Sequence, residues 1–182
     1  MKKKLPYQIE SSHSIFKGAR FNVCVNKVFF EEDHVYEQEV IEHPGAVVIL
    51  PLLDKETVVM IQNERYAVNE QLWELPAGTL EKGEQPLETA KRELVEETGY
   101  SANQMEALLR FYSTPGFCTE NMYVYLATGL SSVGQHLDDS EKISVHSFSW
   151  NRVLEMISDN SICDAKTIAS LLYYQQFRRS MA

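Results

Sequence analysis

Glutamates crowd one short segment of the chain and are the residues best suited to chemistry. Six of them fall between Glu81 and Glu97, against three basic residues in the same stretch. Glu93 and Glu97 are four positions apart and Glu96 lies between them, so on a helix these three carboxylates are neighbours. Like charges at this spacing repel, and a hard divalent cation with oxygen ligands would relieve the repulsion. The cluster therefore indicates a metal site.

The helix that would carry these carboxylates is predicted over about residues 86–98. A proline just inside its start and Gly99 just past its end are typical helix boundaries. Leu87, Ala90 and Leu94 form an apolar stripe that should meet a sheet, and the carboxylates border this stripe. A solvated acidic face is the alternative interpretation, since most charge runs face solvent.

The elements around this helix are predicted to be mostly strands. Two helices end the chain, the second with Asp164 as its N-cap. A break at residues 43–45 separates a small N-terminal β element, residues 1–43, from a main domain, residues 44–182. The order of elements predicts an α/β protein built as a mixed sandwich. Runs rich in β-branched residues predict strands at 21–25, 28–30, 35–41, 46–53, 57–61, 72–75, 105–112, 122–126 and 143–150.

Composition excludes several classes of protein. The 182 residues include 17 Lys and Arg against 26 Asp and Glu, a net charge of −9. An acidic chain lacks the basic surface that nucleic-acid binding needs. No apolar run approaches the roughly 20 residues of a membrane helix, and the 3 cysteines form no CxxC pair. We therefore expect a soluble, cytoplasmic protein that binds neither nucleic acid nor membranes.

The spacing of the acidic segment resembles the Nudix box in full. Counting from Gly78, five residues precede Glu84, and seven more precede the sequence Arg92-Glu93-Leu94-Val95-Glu96-Glu97-Thr98-Gly99-Tyr100. The resemblance implies the Nudix fold, a mixed β-sheet in an α/β/α sandwich. It also implies a hydrolase that uses Mg²⁺ or Mn²⁺ to cleave nucleoside diphosphates linked to another group.

The resemblance assigns roles to residues of the box. Glu93 and Glu97 match its main metal-ligand positions, Glu96 a supporting one, and the main-chain carbonyl of Ala77 a further ligand. Glu96 and Glu97 are also expected to be catalytic. Bound cations would neutralise a pyrophosphate, activate a water molecule and stabilise the leaving oxygen. Structural roles fall to Gly78, Glu84, Arg92 and Gly99, of which Glu84 and Arg92 match a pair that braces the helix.

Residues beyond the box resemble the ADP-ribose pyrophosphatase subgroup. Pro115 lies fifteen positions after Tyr100, like the marker proline of that subgroup. The subgroup places a carboxylate, acting as general base or metal ligand, on a loop after the main strands. The acidic loop 138–141 is in that place. We expect Glu141 to be the general base or metal ligand, and Asp139 is the second candidate for this role. A solvated turn is the alternative for this loop. Further stretches that fit the subgroup are 43–47, 75–78, 113–117 and 164–167.

The same resemblance implies residues that bind the substrate. Arg65 would contact its phosphates or terminal ribose, and Tyr36 or Phe30 would stack on adenine. Pro115 and Glu120 are further substrate-binding positions, and Glu120 would help to order the neighbouring loop. A surface salt bridge is the alternative for Arg65, and simple packing is the alternative for Tyr36. Members of the subgroup often exchange N-terminal strands between protomers, so we expect a homodimer.

The expected activity is Mg²⁺-dependent cleavage of ADP-ribose, or a related nucleoside-diphosphate sugar, to a nucleoside monophosphate and a sugar phosphate. Gln38 and the segment 65–71 depart from the pattern of ADP-ribose enzymes, which leaves another nucleotide as the alternative: a different sugar or a dinucleoside polyphosphate. A non-catalytic nucleotide sensor is a further alternative. On the main interpretation, the acids bind cations and the cations bind the diphosphate.

Overall fold

The structure, a computed structural model, describes residues 6–30, 34–137 and 141–179. It divides into two compact units. The first comprises the described residues of Met1–Gly45 together with Tyr112–Asn121, and the second comprises Ala46–Phe111 and the described residues of Met122–Ala182. The predicted domain boundary after residue 43 stays a prediction.

The first unit contains a three-stranded antiparallel sheet of β1 (Tyr7–Lys17), β2 (Asn22–Phe30) and β3 (His34–Glu42), with β2 in the middle. The predicted strands 21–25 and 28–30 are a single strand, β2, because both sides of it are hydrogen-bonded. The segment 112–121 joins this unit through Ile41, whose N–H donates to the Phe117 carbonyl at 2.7 Å. Residues 31–33, which connect β2 to β3 in sequence, lie outside the described part of the chain.

The second unit contains a seven-stranded mixed sheet. Its long strands run in the order β10-β5-β4-β9-β8, while β6 pairs with β5 and β7 pairs with β4. The pair β4 and β9 is parallel, and the other pairs with a defined register are antiparallel. The strands are β4 (Ala46–Asp54), β5 (Thr57–Arg65), β6 (Glu70–Glu74), β7 (Ala77–Thr79), β8 (Tyr100–Tyr112), β9 (Asn121–Ser132) and β10 (Ile143–Ser149).

Helices cover both faces of this sheet. The helices are α1 (Pro86–Thr98), α2 (Trp150–Ser158) and α3 (Ala165–Phe177). Strand β4 is buried on both faces, as a continuous apolar run predicts: Val48 packs in the core that includes α2 and α3, and Val47 packs with Leu94 of α1. The predicted α/β/α sandwich is confirmed.

The predicted helix boundaries are also confirmed. Gly99 ends α1 in the left-handed conformation, at φ 71°, and its N–H donates to the Val95 carbonyl. Asp164 caps α3 by accepting the Thr167 N–H at 3.0 Å. Among the described residues, none of the helices is long and apolar enough to cross a membrane.

Candidate active site

Two carboxylates of α1 lie on its buried face. Glu93 is 9% exposed and Glu97 is 3% exposed, alongside the apolar side chains of Ala90 and Leu94. The acids were predicted to border this stripe, and the structure buries two of them within it. The short strand β7 is their immediate neighbour, and the Ala77 N–H donates to Glu97 Oε2 at 2.8 Å.

The close approach of β7 to α1 explains the glycine that begins the motif. A Cβ atom on residue 78 would lie 1.9 Å from the carboxyl carbon of Glu93. Any side chain at this position would therefore displace the Glu93 carboxylate. Gly78 makes room for that carboxylate beside the strand.

Burial and the charges of neighbouring carboxylates raise the pKa values of Glu93 and Glu97. Desolvation is the main cause, and it raises the pKa of Glu93 to about 7 and that of Glu97 to about 8. The negative charge of Glu141 raises both values further, while Arg92 lowers the pKa of Glu93 and the Ala77 N–H lowers that of Glu97. The protein groups around Glu93 and Glu97 therefore do not provide enough positive charge to stabilise both carboxylates in their ionised form.

Arg92 is the cation within this group of carboxylates. Its Nη1 donates to Glu93 Oε1 and Glu96 Oε2, each at 2.8 Å. Its Nε and Nη2 donate to the two carboxylate oxygens of Glu84, each at 3.2 Å. These hydrogen bonds lower the pKa of Glu84 to about 2 and raise that of Arg92. Arg92 thus ties the loop before α1 to the middle of the helix.

The donor set fits a hard divalent cation. Among the described residues, no three His, Cys, Asp or Glu side chains already form a metal-binding group, and the Arg92 guanidinium contacts two of the candidate ligands. The carboxylates of Glu93, Glu96 and Glu97 nevertheless offer only oxygen donors, which suit Mg²⁺ and Mn²⁺. The raised pKa values of two of them show that a further positive charge would stabilise the ionised site.

The negative charge of the loop carboxylate Glu141 acts on both buried glutamates of α1. Its charge contributes to the raised pKa of Glu93 and of Glu97, and its side chain is half-buried. Glu141 directly precedes Lys142 and strand β10. The competing candidate, Asp139, lies outside the described residues.

A second charged group, centred on Glu74, was not predicted. Glu74 is fully buried, and it accepts two hydrogen bonds from Arg65, from Nε and Nη2, each at 2.6 Å. Lys166 adds a third at 2.5 Å and also pairs with Asp164 at 2.9 Å. The next residue along, Leu75, donates its N–H to Thr167 Oγ1 at 2.8 Å.

These contacts hold the segment that leads into β7. Glu74 and Leu75 are fixed to the start of α3, and Ala77 is fixed to Glu97 of α1. The sequence signals for this network were the likeness of residues 164–167 to a known subgroup and the alternative of a salt bridge for Arg65, whose partner was not predicted. They could not show that Lys166 reaches a residue 92 positions away.

Comparison with known proteins decides the family. The NUDIX domain model matches residues 42–171, well over half of the chain. The chain belongs to the Nudix family. The family predicted from the spacing of the box is therefore confirmed, and the box runs from β7 through α1 to Tyr100, the first residue of β8.

Relatives of this Nudix chain match it over nearly its whole length. It is 36% identical over 166 residues to the methanol dehydrogenase activator of Bacillus methanolicus, covering 90% of each chain. It is 34% identical over 175 residues to the ADP-ribose pyrophosphatase of Bacillus subtilis strain 168, covering 95% of each chain. A crystal structure of an ADP compounds hydrolase superposes with a TM-score of 0.85 over 100% of this chain and 99% of that one; at 19% identity this likeness shows the fold.

The second unit of the Nudix chain brings together the predicted residues of the box. Helix α1 carries the three glutamates and Arg92, which is hydrogen-bonded to Glu84. Ala77 and Gly78 of β7 lie next to Glu97 and Glu93. Arg65 also belongs to this unit, and its charge lowers the pKa of Glu97. The structure therefore gives Arg65 a buried partner, Glu74, and a place near the carboxylates of α1.

The other predicted substrate residues belong to the first unit. Tyr36 is exposed and packs edge-to-face on Phe30, with ring centroids 5.5 Å apart. Glu120 lies 3.5 Å from Nδ1 of His43, and Pro115 is exposed. Their roles toward a substrate stay predictions.

Proposed function

We propose that this Nudix protein is a Mg²⁺-dependent pyrophosphohydrolase that cleaves ADP-ribose, or a related nucleoside-diphosphate sugar, to a nucleoside monophosphate and a sugar phosphate. The observation that carries the proposal is the pair of buried carboxylates, Glu93 and Glu97, which lack enough positive charge around them. The full-length alignment with the ADP-ribose pyrophosphatase of Bacillus subtilis supports this choice of substrate.

Glu93, Glu97 and Glu96 would hold the metal, together with the main-chain carbonyl of Ala77, and Mn²⁺ would substitute for Mg²⁺. When bound, the metal supplies positive charge for the diphosphate and lowers the pKa of a water molecule. Cation binding at Glu93 and Glu96 competes with their hydrogen bonds to Arg92. Arg92 would keep its two bonds to Glu84 and so continue to brace the helix.

Glu141 would accept a proton from the attacking water or complete the metal shell. The water oxygen would bond to one phosphorus atom, and the bond from that phosphorus to the bridging oxygen would break. The bridging oxygen would leave with the second phosphate, giving AMP and ribose 5-phosphate from ADP-ribose. Comparing Glu141→Gln with Asp139→Asn would identify the loop carboxylate: we expect the Glu141 variant to lose more activity.

Arg65 is suited to contact a phosphate of the substrate. Glu74 holds its Nε and Nη2, and Nη1 has no hydrogen-bond partner among the described residues. The guanidinium is therefore oriented by a buried partner while its side chain is 40% exposed. In the first unit, Tyr36 would stack on adenine, and Pro115 and Glu120 would order their loop.

We further propose a cytoplasmic homodimer that contacts its partner through the N-terminal strands. Strand β1 exposes Ile9, Ile15 and Phe16, and β3 exposes Val35 and Tyr36, which is unusual for a free sheet surface. Sedimentation analysis tests the assembly: we expect a mass of two 20.9 kDa chains, and a single-chain mass would contradict the dimer.

A substrate panel tests the activity. ADP-ribose, GDP-mannose, UDP-glucose and a dinucleoside tetraphosphate would be compared by kcat/KM at saturating Mg²⁺. We expect the highest value for ADP-ribose or another nucleoside-diphosphate sugar. Preferred turnover of the dinucleoside tetraphosphate would contradict this substrate assignment and favour a Nudix hydrolase of dinucleoside polyphosphates. No turnover of any nucleotide would favour a non-catalytic sensor.

A further inference from the structure

The last turn of α1 carries two of the candidate metal ligands in an unfavourable place. It contains Glu96 and Glu97 and no lysine, arginine or histidine. The carboxyl end of a helix carries a partial negative charge, so acidic residues destabilise it. The last four carbonyls of a helix also have no partner within the helix itself. On its own sequence, this turn is therefore expected to fray.

A segment that follows β9 supplies partners for these carbonyls. Main-chain N–H groups of the segment 133–136 donate to the carbonyl of Glu96, at 3.1 Å, and to that of Gly99, at 2.8 and 3.1 Å. The side-chain amide of Gln135 donates to the Glu97 carbonyl at 2.7 Å. Because most of these hydrogen bonds come from the main chain, they depend on the path of the segment 133–136 more than on its side chains.

Glycines allow the two backbones to approach each other. A Cβ atom at residue 99 would lie 2.8 Å from the main-chain nitrogen of Gln135 and 2.9 Å from the carbonyl carbon of Gly134. Gly134 itself has a φ of 98°, a backbone conformation that glycine adopts without strain. The last glycine of the Nudix box thus leaves space for the segment, and Gly134 lets the segment follow the helix end.

We propose that the segment 133–136 clamps the last turn of α1 in its helical form and so keeps Glu96 and Glu97 in position before a divalent cation is bound. The inference rests on the proposed function in one respect, that these glutamates hold a metal. Glu97 is fixed from two sides, since its carboxylate accepts the Ala77 N–H at 2.8 Å and its carbonyl accepts the Gln135 amide. A frayed turn would have to become helical when the cation binds, which lowers the apparent affinity.

Gly134→Ala tests the clamp without altering α1. A Cβ atom at residue 134 would have no heavy atom within 4 Å among the described residues, so the substitution acts through strain at positive φ and displaces the segment. In chelator, hydrogen–deuterium exchange across residues 96–99 is expected to become about fivefold faster. The matched control is Asn160→Ala, which places alanine at a φ of 63° just past the end of α2 and should leave this exchange unchanged. Unchanged exchange across 96–99 in Gly134→Ala would overturn the clamp.

Calorimetric titration with Mn²⁺ tests the link to the metal site. We expect the Kd of Gly134→Ala to rise about fivefold, the value for a last turn that is helical about one fifth of the time. The Kd of Asn160→Ala should equal that of the wild type. An unchanged Kd in Gly134→Ala, or an equal rise in both variants, would overturn the positioning role.

The Mg²⁺ dependence of nucleotide hydrolysis separates positioning from damage to the site. Gly134→Ala should need about fivefold more Mg²⁺ for half of its maximal rate, yet reach the wild-type kcat at saturation, because the bound cation restores the helical turn. A kcat that stays lowered at saturating Mg²⁺ would contradict a role limited to positioning.

The wild-type chain gives a test that needs no substitution. Because coupling between two events is reciprocal, saturating Mg²⁺ should slow exchange of the N–H groups of residues 133, 134 and 136 by about the same factor of five. The hydrogen-bonded turn 159–161 is the reference and should not change. Equal slowing in both places would contradict the coupling. A wild-type chain that binds no Mn²⁺ and hydrolyses no nucleotide would reject the proposed function, whereas normal hydrolysis with wild-type Mn²⁺ affinity in Gly134→Ala would reject the clamp alone.

Discussion

Glu97 is the residue at which burial and charge conflict most strongly. The residue is 3% exposed, and its carboxylate accepts the Ala77 N–H and is repelled by Glu93 and Glu141. In the isolated chain this raises its pKa to about 8. A residue with this environment costs stability when it is ionised, and the cost is offset once a divalent cation is bound. Such sites are typical of function rather than of packing.

Replacing Glu97 with glutamine should therefore separate activity from folding. The amide oxygen can still accept the Ala77 N–H, so we expect an intact fold and a melting temperature at or above that of the wild type at pH 8. Loss of the ligand charge should lower kcat/KM for ADP-ribose by at least about 100-fold. Calorimetric titration with Mn²⁺ should show weakened binding. Glu88→Gln, on the exposed face of the same helix, is the control, and wild-type turnover by Glu97→Gln would overturn the metal assignment.

The raised pKa values predict an unusual pH dependence of stability without metal. Glu93 and Glu97 titrate at about 7 and about 8 in the folded chain, against a usual value of 4.5. Between the usual pKa of 4.5 and the raised values of about 7 and about 8, the folded state binds more protons than the unfolded chain. The free energy of unfolding therefore falls as the pH rises through this range. The pKa of Glu84 is lowered to about 2, so this residue makes the free energy of unfolding rise with pH, but only between about pH 2 and pH 4.5.

Melting temperatures measured in the presence of a chelator check this prediction. We expect the midpoint to fall between pH 5 and pH 8, with a smaller fall in Glu97→Gln. Saturating Mg²⁺ should reduce the fall, because it stabilises the ionised carboxylates. A midpoint that rises over the same range in chelator would show that the two carboxylates are not desolvated as described.

At the scale of elements, the site depends on contacts that fasten β7 between two helices. Ala77 is bonded to α1, while Glu74 and Leu75 are bonded to the start of α3. The helix α1 and its caps could be predicted, because the apolar period, the proline and Gly99 are local signals. Strand β7 could not, because three residues carry no period and their pairing with β4 is a tertiary contact.

Other parts of the fold escaped prediction for similar reasons. Strand β1 contains a polar run, 11–14, and is almost wholly exposed, so its strand structure depends on pairing with β2. The burial of Glu74 depends on Arg65 and on Lys166, which lies 92 positions along the chain. The side-chain amide of Gln135 donates to the main-chain carbonyl of Glu97, 38 positions away, and no local sequence signal marks this contact.

Lys166→Met tests the network at the start of α3. It would leave the fully buried Glu74 with Arg65 alone, and a buried carboxylate that loses one charged partner is costly. We expect the free energy of unfolding to fall by about 2–4 kcal/mol in denaturant titrations. Lys91→Met is the matched control, since Lys91 pairs with Glu88 on an exposed helix face, and should cost less than about 0.5 kcal/mol. Equal effects of the two substitutions would show that the network does not support the fold.

At the scale of the whole molecule, the net charge of −9 has a local explanation. Six of the 26 acidic residues lie between Glu81 and Glu97, and two of those are buried in the second unit. An acidic surface repels nucleic acid, but a buried group of carboxylates attracts divalent cations, and these in turn attract a diphosphate. The charge therefore agrees with a small phosphorylated substrate.

We propose that the carboxylates of α1 support metal-dependent hydrolysis of a diphosphate. The most direct test is the rate of AMP release from ADP-ribose by the full chain as the Mg²⁺ concentration is raised from zero in chelator-treated buffer. We predict no AMP without metal, a saturable rise with Mg²⁺, and ribose 5-phosphate in equal amount. A rate that is the same with and without Mg²⁺ would contradict the account.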